Sequence, residues 1–99
     1  MTFEQLKYFV QTYRLRSISL AADALFISRQ VLSRSLNNLE KELNTKLFLR
    51  SVAGVTPTEA GEALYLSANK ILEEQAFIVE KLNPSSCAVN SNMESKKRI

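Results

Sequence analysis

Between Ser28 and Leu43 the chain carries a run of side chains with one kind of chemistry in common. Gln30, Arg34, Asn37, Asn38 and Lys41 recur at helical spacing, with Arg29 and Ser33 flanking them near the start. At about 100° per residue they gather on one side of a helix. Amides, a hydroxyl and cations are the groups that pair with base edges and phosphate oxygens in a major groove. The centre of the strip holds no acid, since Glu40 and Glu42 fall beside it. A face that is merely solvated usually mixes glutamate with lysine, so this one favours contact with a polyanion.

Other chemistries are closed to this composition. The 99 residues include no histidine and one cysteine, Cys87. A histidine general base, a Ser-His-Asp triad and a zinc site of Cys and His are therefore unavailable within the chain. With Gly54 and Gly61 as its two glycines, it can write neither a phosphate-cradling loop nor a dinucleotide fingerprint. No enzyme activity, cofactor or metal is expected. A lone cysteine makes no internal disulfide and points to a reducing, cytoplasmic setting. No stretch nears the roughly 18 apolar residues of a membrane span, and the start lacks a signal-peptide layout.

The elements that must hold the polar strip follow from caps and apolar spacing. The length suits about one domain, and scarce proline and glycine predict a mainly helical chain. Thr2-Phe3-Glu4-Gln5 is a capping box. Phe3, Leu6, Phe9, Val10 and Tyr13 then mark a first helix to about Arg14. Ser17 or Ser19 caps a short second helix with Ala21, Ala22 and Leu25; Phe26-Ile27 is a tight connection, and Ser28 caps the third. There Leu32, Leu36, Leu39 and Leu43 form the apolar stripe opposite the polar strip. The short helix, tight turn and longer helix make a helix-turn-helix, with Ala21 and Ala22 small enough to let the two helices cross closely. Leu47-Phe48-Leu49 reads as a strand, Gly54-Val55 as the place where a hairpin turns back, and Pro57 as its end.

Thr58 caps a long helix reaching about Leu82, where Asn83-Pro84 stops it. Along it Leu64, Ala68, Ile71, Gln75, Ile78 and Leu82 alternate in steps of four and three, a coiled-coil seam that Leu72 and Val79 widen. Exposed Leu66, Ile71, Phe77 and Ile78 would be a liability in a monomer, which favours a homodimer paired through this helix. Charge follows the same division. Residues 1–58 carry eight cations against four acids, residues 59–82 two lysines against five glutamates, and the whole chain a net +3. Residues 83–99, rich in Ser and Asn, read as disordered, with Lys96-Lys97-Arg98 simply solvated.

These residues together resemble the N-terminal DNA-binding region of LysR-type transcriptional regulators of bacteria. The resemblance runs from about Phe3 to Leu72. It is carried by Leu6, Phe9, Ser17, Ala21-Ala22, Leu25, Ser28, Leu32-Ser33, Leu36, Leu39-Glu40, Leu43, Leu47-Phe48, Arg50 and Thr58-Glu59-Ala60-Gly61. It implies a winged helix-turn-helix: three helices and a short β-hairpin wing over residues 1–57, then a linker and dimerisation helix over 58–82. The family's base-reading positions fall on Arg29, Gln30, Ser33 and Arg34, and its wing contact on or near Arg50. The hairpin from Arg50 to Val55 is expected along the neighbouring DNA backbone or minor groove.

The chain departs from the family pattern where Arg29-Gln30 replaces Gln-Pro, Asn44 replaces Gly and Pro57 replaces Leu. Asn tolerates the left-handed geometry of a helix end, whereas Pro57 is expected to shorten or unpair the second wing strand. The implied partner is double-stranded DNA with a dyad-symmetric promoter site, bound by Arg29, Gln30, Ser33, Arg34, Asn37, Asn38 and Arg50. Family members continue into an effector-binding domain, and no small-molecule site is read in these residues. The competing role is a dimerisation decoy that pairs with full-length regulators.

Overall fold

The computed structural model describes residues 1–82, in the order α1 (Phe3–Leu15), α2 (Ile18–Leu25), α3 (Arg29–Leu43), β1 (Phe48–Ser51), β2 (Gly54–Pro57) and α4 (Glu59–Leu82). The expected tail, 83–99, lies outside the described residues. Each of the first three helices starts on a side chain that accepts a hydrogen bond from a first-turn amide: Thr2 from Gln5, Ser17 from Leu20 and Ser28 from Val31. Gln5 closes the capping box by accepting from the Thr2 amide. The same three helices end on left-handed residues, Arg16 (φ 56°), Phe26 (φ 59°) and Asn44 (φ 54°). Asn44 meets the expectation for a helix end without glycine. Arg16 and Phe26 adopt the same geometry with no sequence signal for it.

The core is one cluster. Leu6, Phe9 and Val10 of α1 meet Ala21 and Ala22 of α2, Leu32, Leu36 and Leu39 of α3, Leu47, and Phe48 and Val55 of the hairpin. Phe9 and Phe48 place their ring centroids 5.2 Å apart. Ala21 and Ala22 are almost wholly buried, as the close crossing of α2 and α3 requires. Leu43 stays partly exposed at the edge of the stripe.

β1 and β2 pair antiparallel in the register Phe48↔Pro57, Leu49↔Thr56, Arg50↔Val55 and Ser51↔Gly54. The turn therefore falls on Val52-Ala53, just before the expected Gly54-Val55. Pro57 does not shorten the second strand. It occupies the last paired position, and the ladder is continued by the Thr58 amide, which donates to the Leu47 carbonyl at 2.9 Å. A proline at a strand end forfeits little, because no ladder bond is asked of its nitrogen. Gly54 has φ +129°, and a Cβ there would overlap the Arg16 carbonyl oxygen, the group that accepts the Val55 amide at 3.1 Å. The wing is thus docked on the C-terminal end of α1.

Thr58 accepts from the Gly61 amide at 3.1 Å and donates to the Lys46 carbonyl at 2.6 Å, tying the start of α4 to the wing. At Gly61 a Cβ would overlap the Leu47 carbonyl, so the helix can seat only without a side chain there. Ala68 is fully buried, and Ala60, Leu64, Tyr65 and Leu72 pack against the core. Past Leu72 the helix is mostly exposed, with Gln75 half-buried and Phe3 of α1 still beside it. Its 24 residues span about 36 Å at 1.5 Å per residue, and the molecule measures 51 × 24 × 18 Å.

Candidate nucleic-acid interface

Helix α3 turns its leucines inward and leaves Arg29, Gln30, Arg34, Asn37 and Asn38 exposed, with Ser33 half-buried. Two flanks can be told apart on this face. On the wing side, Arg50 reaches from β1 onto α3: its Nη1 donates to Ser33 Oγ at 2.6 Å and its Nη2 to Asn37 Oδ1 at 3.0 Å. Arg29 Nη1 donates to Ser19 Oγ of α2 at 3.1 Å. On the far side, Arg34 and Asn38 line a shallow groove with Thr2, Gln5 and Tyr8 at the start of α1. The structure therefore brings Arg50, Ser33 and Asn37 into one hydrogen-bonded group and keeps Arg34 and Asn38 apart from it. The Arg50 guanidinium lies against α3 itself, whereas its place on the wing suggested contact with neighbouring DNA backbone.

Glu40 is a functional residue that reading the sequence missed. It is 8% exposed. Its Oε2 accepts from the Leu47 amide at 2.8 Å and from the Phe48 amide at 3.2 Å. Lys46 Nζ stands 3.7 Å from the other carboxylate oxygen. A carboxylate that accepts two backbone amides locks the angle between α3 and β1, because charge-assisted bonds are roughly twice as strong as neutral ones. The signal was present in the spacing: Glu40 follows Leu36 by four residues and so falls on the leucine side of the helix. Its burial leaves the outer face from Arg29 to Lys41 with no exposed carboxylate. The remaining acid of this helix, Glu42, is held by the Met1 amino group at 2.7 Å.

A second group joins α1 to α4. The rings of Tyr13 and Tyr65 stack at 3.8 Å and 8°. The Tyr13 hydroxyl donates to the Glu62 carboxylate. Arg14 donates from Nε to the Tyr65 hydroxyl at 3.3 Å and from Nη2 to Asn69 Oδ1 at 2.9 Å. The Arg16 guanidinium lies 4.8 Å from the Tyr13 ring centre. The hydrogen bond to Glu62, then partial burial, then the Glu62 charge hold the Tyr13 phenol above its ordinary 10.0, against an opposing pull from Arg16.

The seam expected from Leu64 to Leu82 divides in two. Ala68 is buried in the chain's own core and Leu64 packs against it. Ile71, Ile78 and Leu82 are exposed and Gln75 is half-buried. Ile71, Gln75, Ile78 and Val79 form an apolar groove with Phe3. The difference has a simple cause, since apolar periodicity says that a helix face is covered but not by which chain.

Residues 3–62 match the family model for the bacterial regulatory helix-turn-helix protein, lysR family. The chain is 45% identical over 74 residues to the nitrogen assimilation regulatory protein nac of Escherichia coli strain K12, which covers 75% of this chain and 24% of that protein. It is 42% identical over 93 residues to the HTH-type transcriptional regulator BudR of Klebsiella aerogenes, covering 94% of this chain and 65% of that one. The chain thus spans about a quarter of the first relative and just under two thirds of the second. Among solved structures, the BenM_DBD/catB site 1 DNA complex superposes with a TM-score of 0.82 at 33% identity, over 89% of this chain and 99% of that one. The CbnR_DBD-DNA complex gives 0.81 at 31% identity, over 87% and 99%.

Proposed function

The chain belongs to the LysR family of bacterial regulatory helix-turn-helix proteins, and from that we propose that it regulates transcription in the cytoplasm by binding double-stranded DNA sequence-specifically as a homodimer. One observation carries the reading: with Glu40 turned inward and Glu42 paired with the Met1 amino group, the outer face of α3 from Arg29 to Lys41 presents amides and cations and no exposed carboxylate. Arg34 on the side of the face toward α1, with Gln30 and Asn38, is assigned to base edges in the major groove. Arg29, Ser33, Asn37 and Arg50 form the flank beside the wing. Two solved relatives of this fold are complexes with DNA, which supports the same docking here.

Residues 1–57 act as the reading unit and 58–82 as the link between copies. A second copy covers the groove of Phe3, Ile71, Gln75, Ile78 and Val79, and Leu82 extends the covered face. Such pairing sets two α3 helices on a dyad-symmetric site. No observation favours a role limited to pairing with other regulators. Among the described residues, no helix is long and apolar enough to cross a membrane.

Selection from a random duplex library tests the proposal directly, and recovery of a dyad-symmetric sequence is expected. Arg34→Ala should then cost about 1–3 kcal/mol at that site and far less on random DNA, since a base contact discriminates and a phosphate contact does not. Equal losses on both would reduce Arg34 to a phosphate anchor. A library that returns no enriched sequence would refute the function itself.

A further inference from the structure

We propose that the group built on the Tyr13–Tyr65 stack is a positioning device that sets the angle at which α4 leaves the domain, and through it the half-site spacing that a dimer accepts. The inference rests on the DNA-binding reading above and extends it from which bases are read to how far apart.

The apolar contacts of α4 do not fix a direction by themselves. Ala68, Leu64 and Leu72 bury surface against the core, and such burial is non-directional. Packed helices scatter by about 15–20° around their preferred crossing angles. Directional contacts are needed to narrow that range; besides the bonds that tie Thr58 to Lys46 and Leu47 at the helix start, they lie along one row of α4. Glu62, Tyr65 and Asn69 take a hydrogen bond from Tyr13, a ring stack from Tyr13 together with a hydrogen bond from Arg14, and a hydrogen bond from Arg14, in that order. All these donors sit in the last turn of α1. Arg16, the left-handed residue that ends α1, donates its Nε to the Tyr13 carbonyl at 2.7 Å and covers the Tyr13 ring. Its carbonyl accepts the Val55 amide of the wing. The end of α1 is thereby held to the wing on one side and grips α4 on the other.

The row lies roughly 145° around α4 from the groove of Ile71, Gln75 and Ile78, at about 100° per residue. The grip leaves the pairing face open and acts on the helix from its far side. From Ala68 to Leu82 the helix runs about 21 Å, so a 15° swing about the buried alanine moves its end by about 5 Å. That is one to two base pairs of DNA at about 3.4 Å each, enough to change which spacing two copies fit.

The test compares the wild type, Arg14→Ala/Tyr65→Leu and the conservative Tyr65→Phe, which keeps the stacked ring. Two readouts are used. Spin labels at Lys7→Cys and Lys81→Cys, in a Cys87→Ser background diluted with unlabelled protein, report the α1–α4 distance distribution without any DNA. Duplexes carrying two copies of the half-site recovered by selection, separated by spacers of graded length, report spacing preference. The double variant is expected to broaden the distance distribution and to accept a window two to three base pairs wider, while its affinity for a single half-site changes less than about two-fold. Tyr65→Phe should keep the wild-type distribution and window. A double variant with the wild-type distance distribution overturns the proposal, whatever its DNA behaviour. A broadened distribution with an unchanged spacing window overturns it too. Failure of the wild type to select any half-site strikes the DNA-binding reading alone, because the distance measurement still decides whether the grip sets the angle.

Discussion

Replacing Glu40 gives a direct measure of how firmly the wing is set on α3. Its carboxylate is 8% exposed, and one oxygen, Oε2, accepts both the Leu47 and the Phe48 amides. Alanine removes that oxygen and leaves two buried donors without a partner. An unsatisfied buried group costs about 1–3 kcal/mol, so the sum is about 2–6 kcal/mol. The Lys46 pair adds little to this, because the lysine side chain is 76% exposed and such pairs contribute about 0–1 kcal/mol. Glutamine separates geometry from charge. Its amide oxygen can occupy the place of Oε2 and keep both bonds, losing only the charge assistance, about 1–2 kcal/mol in all. Urea unfolding of the three proteins gives the free energies. Hydrogen exchange at the Leu47 and Phe48 amides shows whether the loss is local. Glu40→Ala within about 0.5 kcal/mol of wild type, the range of ordinary surface changes, would mean that water satisfies those amides. A glutamine variant as damaged as the alanine one would also refute the single-oxygen account.

Arg29→Gln should switch base preference at one position of each half-site from guanine toward adenine with little change in salt dependence; a phosphate contact would instead leave preference intact and make the salt slope shallower by about 0.9. Changing Ile71 and Ile78 together to lysine should yield monomers in sedimentation, since like charges would face each other across the exposed groove. Gly61→Ala should lower stability in thermal unfolding by about 1–3 kcal/mol, because its Cβ overlaps the Leu47 carbonyl and lifts α4 off the wing.

Local signals carried much of the fold into the sequence. Thr2, Ser17 and Ser28 mark helix starts because a cap hydroxyl bonds an amide three residues away. The leucines of α3 give its inner face by spacing alone, and the opposite face then follows. What was illegible depends on meetings between distant segments. Tyr13 and Tyr65 touch only because α1 and α4 cross where they do. The spacing puts Glu40 toward the leucine side of α3, but nothing in it says that the amides of Leu47 and Phe48 meet the carboxylate there. The left-handed ends at Arg16 and Phe26 carry no glycine or asparagine to announce them. Phe26 is 94% exposed, so no packing explains its place either.

Two of the three arginines on the α3 face are already occupied within the molecule, Arg50 by Ser33 and Asn37 and Arg29 by Ser19. A duplex competes with these internal partners before it gains their contacts. Swapping one neutral acceptor for another yields little net free energy, on the order of 1 kcal/mol, whereas a phosphate adds ion-pair attraction on any sequence. If this face binds DNA as proposed, Arg29 and Arg50 must each exchange an internal partner for a contact with the duplex, while the exposed Gln30, Arg34 and Asn38 stand ready to meet the bases first.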